Sequence, residues 1–445
     1  MHEIVEKVKS AGVVGAGGAG FPTWKKLDCQ VDIIIANGAE CEPLLQVDQI
    51  LMENNTVRLI EGMKAAMEAV NAKKGVIATK SHYYQAVTAL RREIENEKNI
   101  ELFLMDSFYP AGDEKSLVYD ITGEIIPSAK LPSDLGCVVL NIGTLCNIAN
   151  ALSDIPVTEK YVTVSGDVDK PQTILVPVGT SFKTLLEIAG FSGSQETHAL
   201  IIGGPCMGYV ENDWNSSVKK TTSGVLAVPL DHYLITQKNM PMSRQIRLAQ
   251  AVCCQCTMCT QLCPRNAMGL NVEPHKVMRA AANSNPSIIG DINGLLACSS
   301  CGLCTYFGCT LGLSPSEVMT EFKNSLLAAG VRPQTENNVT PEDAILLKRV
   351  PTDRLMARMD LKKFDAPAPA STLQVNLETV RIPLSMHIGK PARPIVQTGQ
   401  TVAKGQLIAS ILENELGADI HASIKGRISE VNENYIQIES IQEVS

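Results

Sequence analysis

The stretch AVCCQCTMCTQLCPR (251–265), answered by ACSSCGLCTYFGCT (297–310), decides how the rest of the chain is organised. Five of the 14 cysteines fall in the first segment and four in the second. Cysteines two residues apart line one side of a tight loop, the arrangement that thiolate ligands of a metal centre need. A disulfide scaffold is the competing reading, but it belongs to short secreted chains. This chain has 445 residues, and its opening, MHEIVEKVKSAG, reads as a charged amphipathic helix with Ile4, Val5 and Val8 on one side, not as a signal peptide. A reducing, cytoplasmic setting is expected. No apolar run approaches the roughly 20 residues that a membrane span needs. A net charge of -8 with only 4% aromatic residues argues against a nucleic-acid groove.

Cys253, Cys256, Cys259 and Cys263, followed by Pro264, match C-x2-C-x2-C-x3-C-P, the run of bacterial ferredoxins. Cys298, Cys301, Cys304 and Cys309 form the second run, whose last gap is four residues and which ends on Thr310 where proline is usual. In two-cluster ferredoxins three cysteines of a run hold one four-iron cluster and the fourth holds the other. Two [4Fe-4S] clusters are therefore expected, one on Cys253, Cys256, Cys259 and Cys309, the other on Cys298, Cys301, Cys304 and Cys263. Structural zinc is the alternative, though zinc sites usually draw on two separated pairs. Cys254 is left over and competes with Cys253. Cysteines 29, 41, 137, 146 and 206 read as small core residues.

Around this segment the chain changes texture several times. Residues 1–155 alternate helix and strand: VDIIIANG (31–38), a helix from Thr56 to Val70, GVIAT (75–79), a helix through SHYYQAVTALRREIE and a strand at IELFLMD. That alternation predicts a layered α/β unit with a largely parallel sheet. Residues 156–240 read as a small α+β module, with a hairpin from YVTVSGDV and TILVPVG and a helix ended by Gly190. Residues 241–330 are helical and broken by the cysteine runs. A linker with one helix (342–360) occupies 331–375 and ends in DAPAPAS (365–371), and residues 376–445 read as an all-β unit of short strands with glycine turns. The fold class is thus multidomain, α/β and α+β, with a helical ferredoxin-like insert and an all-β C-terminal unit.

GAGGAGFPTWKK places Gly15, Gly17 and Gly20 in G-x-G-x-x-G register. The loop follows a helix and precedes a strand, the reverse of the dinucleotide fingerprint. A structural turn is one reading. The other is a phosphate cradle, in which glycines admit close backbone approach and Lys25 or Lys26 supplies charge. NGAECEP (37–43) and YPAGDEKSL (109–117) add carboxylates on further loops, where α/β sheets bind ligands.

Together, G-x-G-G-A-G-F-P-T, N-x-x-E-x-E-P, the G-[DE]-E loop and N-x-x-T near LNIGTL resemble the flavin-binding subunit of respiratory complex I and its relative, the C subunit of the Rnf electron-transport complex. The resemblance implies that residues 1–155 bind FMN and receive NADH. It assigns Gly15, Gly17, Gly18 and Lys26 to the FMN phosphate region, and Asn37, Glu40, Gly112, Asp113, Asn141 and Thr144 to the rest of the flavin. Phe21, Glu42, Glu114 and Lys130 would face the nicotinamide. Ala16 and Ala39 depart from the complex I pattern, and these departures bear on the NADH contacts more than on FMN. The module at 156–240 resembles a soluble-ligand-binding β-grasp domain. VQTGQTVAKGQLIASI and IHASIKGRISEV resemble a barrel-sandwich hybrid of the lipoyl type, but Leu416 stands about where a carrier needs its lysine, which suggests a docking module.

With the barrel-sandwich unit last, the domain order is similar to that of the cobalamin reductases of propanediol-utilisation microcompartments. This implies NADH-dependent reduction of cob(III)alamin towards cob(I)alamin for a diol dehydratase, inside a bacterial microcompartment. The expected partners are NADH, cobalamin or a corrinoid-carrying protein, and a shell protein. The alternatives are an Rnf C-like subunit feeding a membrane or shell partner, and a plain ferredoxin-like carrier with a flavin domain kept for docking.

Overall fold

The computed structural model describes residues 2–335 and 339–441; parts of the expected linker (336–338) and of the C-terminal unit (442–445) lie outside them. Near the N-terminus, the helix Glu3–Ser10 buries Ile4, Val5 and Val8 and carries Glu3 and Glu6 in its first turn, where acidic groups favour the helix dipole. A four-stranded sheet follows in the order Ile100–Met105, Lys74–Lys80, Ile33–Gly38, Cys137–Asn141, every pair parallel. Its strands are nearly continuous apolar runs because helices cover it. The helices Thr56–Ala69 and Ile142–Leu152 approach so closely that a Cβ on Gly62 would lie 1.9 Å from the Leu145 carbonyl oxygen. The register sets Asn37 opposite Asn141 at the carboxyl ends of a central strand and its edge neighbour.

The second unit is a five-stranded mixed sheet. Strand Gly224–Pro229 runs parallel to Glu159–Gly166 and antiparallel to His198–Ile202, with the helix Phe182–Ile188 packed on the sheet. The cysteine segments lie among helices Met242–Val252, Pro274–Ala282 and Pro315–Ala328, around a core that includes Leu270, Val277 and Val318. The C-terminal unit consists of a four-stranded and a three-stranded sheet around Ile382, Ile408, Ile420 and Ile436.

The stretch between the last two units departs from a single helix over 342–360. Pro351 lacks the amide a helix interior requires, and the segment divides into a turn (Ile345–Lys348), a short strand paired with Phe108–Tyr109, and the helix Thr352–Arg358. Leu355, Met359 and Leu361 are fully buried, each contributing ~1.5–3 kcal/mol. They join Leu44, Tyr109, Leu226 and Tyr306 in a core shared by the first three units. DAPAPAS has linker composition yet is pinned in place: Thr173 donates its amide to Pro369 and its hydroxyl to Ala368. Among the described residues no helix is long and apolar enough to cross a membrane.

Candidate functional site

The glycine loop forms a tight hairpin between the first helix and the short turn Thr23–Lys26. Val14 bridges to Pro22, and the Gly15 amide donates to the Phe21 carbonyl at 3.0 Å. The loop's polar groups divide by type. The carbonyl of Ala16 accepts from the buried Lys160 ammonium at 2.7 Å and its amide donates to Thr144 Oγ1 at 2.9 Å. The amides of Gly17, Gly18 and Ala19 have no acceptor among the described residues. Free amides at a glycine-rich tip make an anion-binding concavity.

That loop forms one wall of a cavity of about 430 Å³, a volume in the range of small-molecule sites. Gly17, Asn37, Glu40, Glu42, Gly112, Asp113, Glu114 and Asn141 all line it. A Cβ on Gly17 would sit 2.5 Å from Asn141 Nδ2, so only glycine fits there. Asn37 donates to the Gly112 carbonyl (3.0 Å) and ties two of the loops together. Lys26 reaches Glu114 at 2.9 Å. Gly15, Gly18, Thr144, Phe21 and Lys130 do not line the cavity; Thr144 backs the loop, and Phe21 and Lys130 are exposed.

Sequence reasoning missed several residues here. Asp48 accepts from Asn141 through both oxygens (2.9 and 2.8 Å), and its amide donates to Glu40 Oε2 at 2.5 Å. Burial, then the Asp48 charge, push the Glu40 carboxyl up to about 8; burial raises Asp48 to about 6. Burial brings Lys160 down to about 8, against the pull of Asp48 and Glu40. The only hint of this group in the sequence was a lysine inside an apolar strand and an aspartate on the apolar side of the helix Val47–Asn54. Arg265, directly after Cys263-Pro264, was missed as well. It grips Asp113 through Nη2 (2.6 Å) and Nε (3.3 Å) and donates to the Ala297 carbonyl. Burial works to raise the Asp113 carboxyl, but Arg265 prevails and holds it below the usual range. Glu42 is already engaged, accepting from the amides of Cys206 and Met207 and from the Tyr109 hydroxyl, and burial raises its carboxyl.

Cys298, Ser299 and Cys301 line the same cavity. Cys263 shares its electrostatic environment with Cys301 and Cys298, and Cys304 with Cys298, Cys301 and Cys263. Cys259 faces Cys309, Cys256 and Cys253, and is also close enough to act on Cys304. Burial, then the neighbouring thiols, push Cys259 up to about 12, a mutual repulsion that a bound cationic centre relieves. Both runs twist alike: Gln255 and Ser300, then Thr257 and Gly302, adopt left-handed backbone at matching positions. The longer gap of the second run is taken up by a π-helical turn, Cys304–Gly308, the usual way to absorb one extra residue. Gly308 permits this turn to lie against Cys259, since a Cβ would be 3.2 Å from the Cys259 Cα. Cys253, Cys256, Cys259 and Cys309 stand around one hollow, and among the described residues no three His, Cys, Asp or Glu side chains could share a single ion. That donor set suits multi-iron clusters, with one thiolate for each iron. Cys254 is exposed, whereas Cys253 is half-buried and accepts from Gln255 Nε2.

The cavity residues fit a flavin nucleotide and the thiols fit iron–sulfur centres, and four family models cover these units. They are the Nuo51 FMN-binding domain (8–150), the SLBB domain (161–210), the 4Fe-4S dicluster domain (252–314) and the RnfC barrel sandwich hybrid domain (359–444). The protein is an oxidoreductase of the flavin and iron–sulfur electron-transfer class. Within that class, it is 39% identical over 438 residues to the cobalamin reductase PduS of Salmonella typhimurium, covering 98% of this chain and 96% of that protein. It is 38% identical to PduS of Citrobacter freundii with the same coverage. The chain belongs to the PduS cobalamin reductase family. A more partial likeness links it to the C subunit of the Na(+)-translocating ferredoxin:NAD(+) oxidoreductase complex of Acetobacterium woodii, 36% identical over 60% of this chain and 59% of that protein. Among solved structures, an NAD+-reducing [NiFe]-hydrogenase shares the fold, with TM-score 0.50 and 22% identity over 82% of this chain and 67% of that one.

Proposed function

We propose that the protein uses NADH to reduce cob(III)alamin towards cob(I)alamin, through FMN and two [4Fe-4S] clusters, for a diol dehydratase inside a bacterial microcompartment in the cytoplasm. The observation that carries this reading is the shared cavity. The glycine loop with Asn37 and Asn141 lines it together with Cys298 and Cys301. A flavin there would lie directly against a cluster ligand loop. FMN, when bound, converts two-electron hydride delivery into single-electron steps.

The residues have distinct tasks on this reading. The amides of Gly17 and Gly18, with Gly15 shaping the turn and Lys26 at the margin, hold the phosphate. Asn37, Glu40, Gly112, Asp113, Asn141 and Thr144 set the flavin's position, partly through one another. Phe21, Glu42, Glu114 and Lys130 were expected to meet the nicotinamide. Of these, Glu114 has the most suitable place, at the cavity margin beside Lys26. NADH as donor is supported by kinship with a component of a ferredoxin:NAD(+) oxidoreductase. Cobalamin, free or carried by a corrinoid protein, is supported by the near full-length match to PduS. That match also favours the reductase over an Rnf C-like component, whose counterparts align with about 60% of the chain.

The test is spectroscopic. The protein is purified anaerobically and reconstituted with iron, sulfide and FMN, and NADH is then added, followed by hydroxocobalamin. Bleaching of flavin and cluster absorbance, then the appearance of cob(II)alamin bands, is expected. If dithionite bleaches the centres and NADH does not, the nicotinamide assignment is wrong.

A further inference from the structure

The glycine loop is held from outside its own unit. The ammonium of Lys220, a buried residue of the β-grasp module, donates to the Gly12 carbonyl at 2.6 Å and to the Asp419 carbonyl of the C-terminal unit at 2.7 Å. Gly12 has φ +65, and a Cβ there would sit 2.2 Å from the Asp419 oxygen. At the other end of the loop Gly20 has φ +75, and its carbonyl accepts from the Ile388 amide at 3.1 Å. A Cβ on Gly20 would collide with Thr221 and press on the Met386 carbonyl. Just beyond, the Trp24 indole donates to the Gly417 carbonyl at 3.0 Å. Gly417 belongs to the hairpin around Leu416, whose carbonyl accepts from the Lys390 amide. That hairpin is turned inward against the flavin unit.

Stability alone gives no reason for a lysine at position 220. Burial pulls the Lys220 ammonium down to about 7 even with the Asp419 charge nearby, a cost that an apolar side chain would not carry. What an ammonium does that an apolar group cannot is hold two carbonyls from separate units at one point. Those contacts engage the carbonyls of Gly12 and Gly20 while the amides of Gly17 to Ala19 stay free between them.

We propose that the C-terminal unit, tied through Lys220, is a fixed buttress that positions the glycine loop for the flavin phosphate. Lys220 and the Trp24–Gly417 contact are positioning elements for FMN. The proposal rests on the reading that this loop holds FMN, and the experiment separates the two.

FMN is titrated into flavin-free protein with its clusters in place, following flavin fluorescence and the visible circular dichroism of the bound flavin. Losing the charged donor of Lys220→Met should weaken FMN by about tenfold or more, and losing the single indole donor of Trp24→Phe by about threefold to tenfold. Lys404→Met serves as the control: it removes a contact between the C-terminal unit and Glu159 (2.9 Å) without touching the loop, and should leave FMN affinity unchanged. Iron content and cluster absorbance should stay at wild-type values throughout, because the thiols have a core of their own. A merely structural role would lower iron content and FMN together. If Lys220→Met loses its clusters, Trp24→Phe decides, its weakened FMN binding supporting the proposal. Unchanged FMN affinity in Trp24→Phe, with or without a change in Lys220→Met, overturns the buttress. Failure of the wild-type protein to bind FMN overturns the flavin reading itself, and the buttress with it.

Discussion

Replacing Glu40 by glutamine tests the charge group behind the flavin cavity. The Glu40 carboxyl is pushed up to about 8 by burial and by Asp48, against about 4.3 for an unfolded chain. A carboxyl with a raised folded value keeps a proton that the unfolded chain gives up. Its contribution is therefore fully present below the unfolded value and is lost as pH rises towards 8. The limiting slope is about 1.4 kcal/mol per pH unit. Part of the side chain faces the cavity, where solvent screens it, so about 1–3 kcal/mol should be lost between roughly pH 5.5 and 7.5. Glu40→Gln keeps the shape and the left-handed backbone burden (φ 34) while removing the titration. Unfolding midpoints of flavin-free wild type and variant, measured across that pH range, should diverge, with the variant losing less stability as pH rises. Parallel curves would show that the proton is not held at Glu40.

Three further outcomes follow from the geometry. Arg265→Leu strands the Asp113 carboxylate, whose side chain is only 6% exposed, and should cost about 3–5 kcal/mol by calorimetry; adding Asp113→Asn should recover part of it. Cys256→Ala and Cys263→Ala should each lower iron from about eight to about four per chain, with different electron paramagnetic resonance signals surviving in the two variants. Cys254→Ser should leave iron content unchanged while Cys253→Ser lowers it, the reverse pattern making the exposed thiol the ligand.

Local and long-range features were not equally legible in the sequence. Thiol spacing is local, so both cysteine runs could be read before any fold was known, and the π-helical turn explains a gap that spacing alone left odd. The parallel sheet showed in the alternation of apolar strands and amphipathic helices. The adjacency of Asn37 and Asn141 did not, because it depends on strands about 100 residues apart pairing in one register. Lys160, Asp48, Arg265 and Lys220 belong to no motif. Each works through a partner far away in the chain, and a sequence without its fold offers only the oddity of a charge among apolar neighbours. The 365–371 stretch misleads for the opposite reason: its composition is that of a free linker, but its backbone groups find fixed partners on Thr173.

The burial of the thiols orders the proposed centres. Cys298 is buried and shares the cavity wall with Cys301, so the cluster set of Cys263, Cys298, Cys301 and Cys304 is the inner one. Cys304 senses Cys259, which places the two sets side by side. The set with Cys256 is the outer one: Cys256 is exposed, and Val252, Met258 and Leu311 around it are more than 40% exposed. Tyr109 stands at the inner junction, its hydroxyl shared between the Cys301 carbonyl at 2.7 Å and Glu42 Oε1 at 3.0 Å. The inner cluster loop is thus fastened to the flavin cavity by the Tyr109 hydroxyl and by the Arg265–Asp113 pair. The outer loop is left open to solvent.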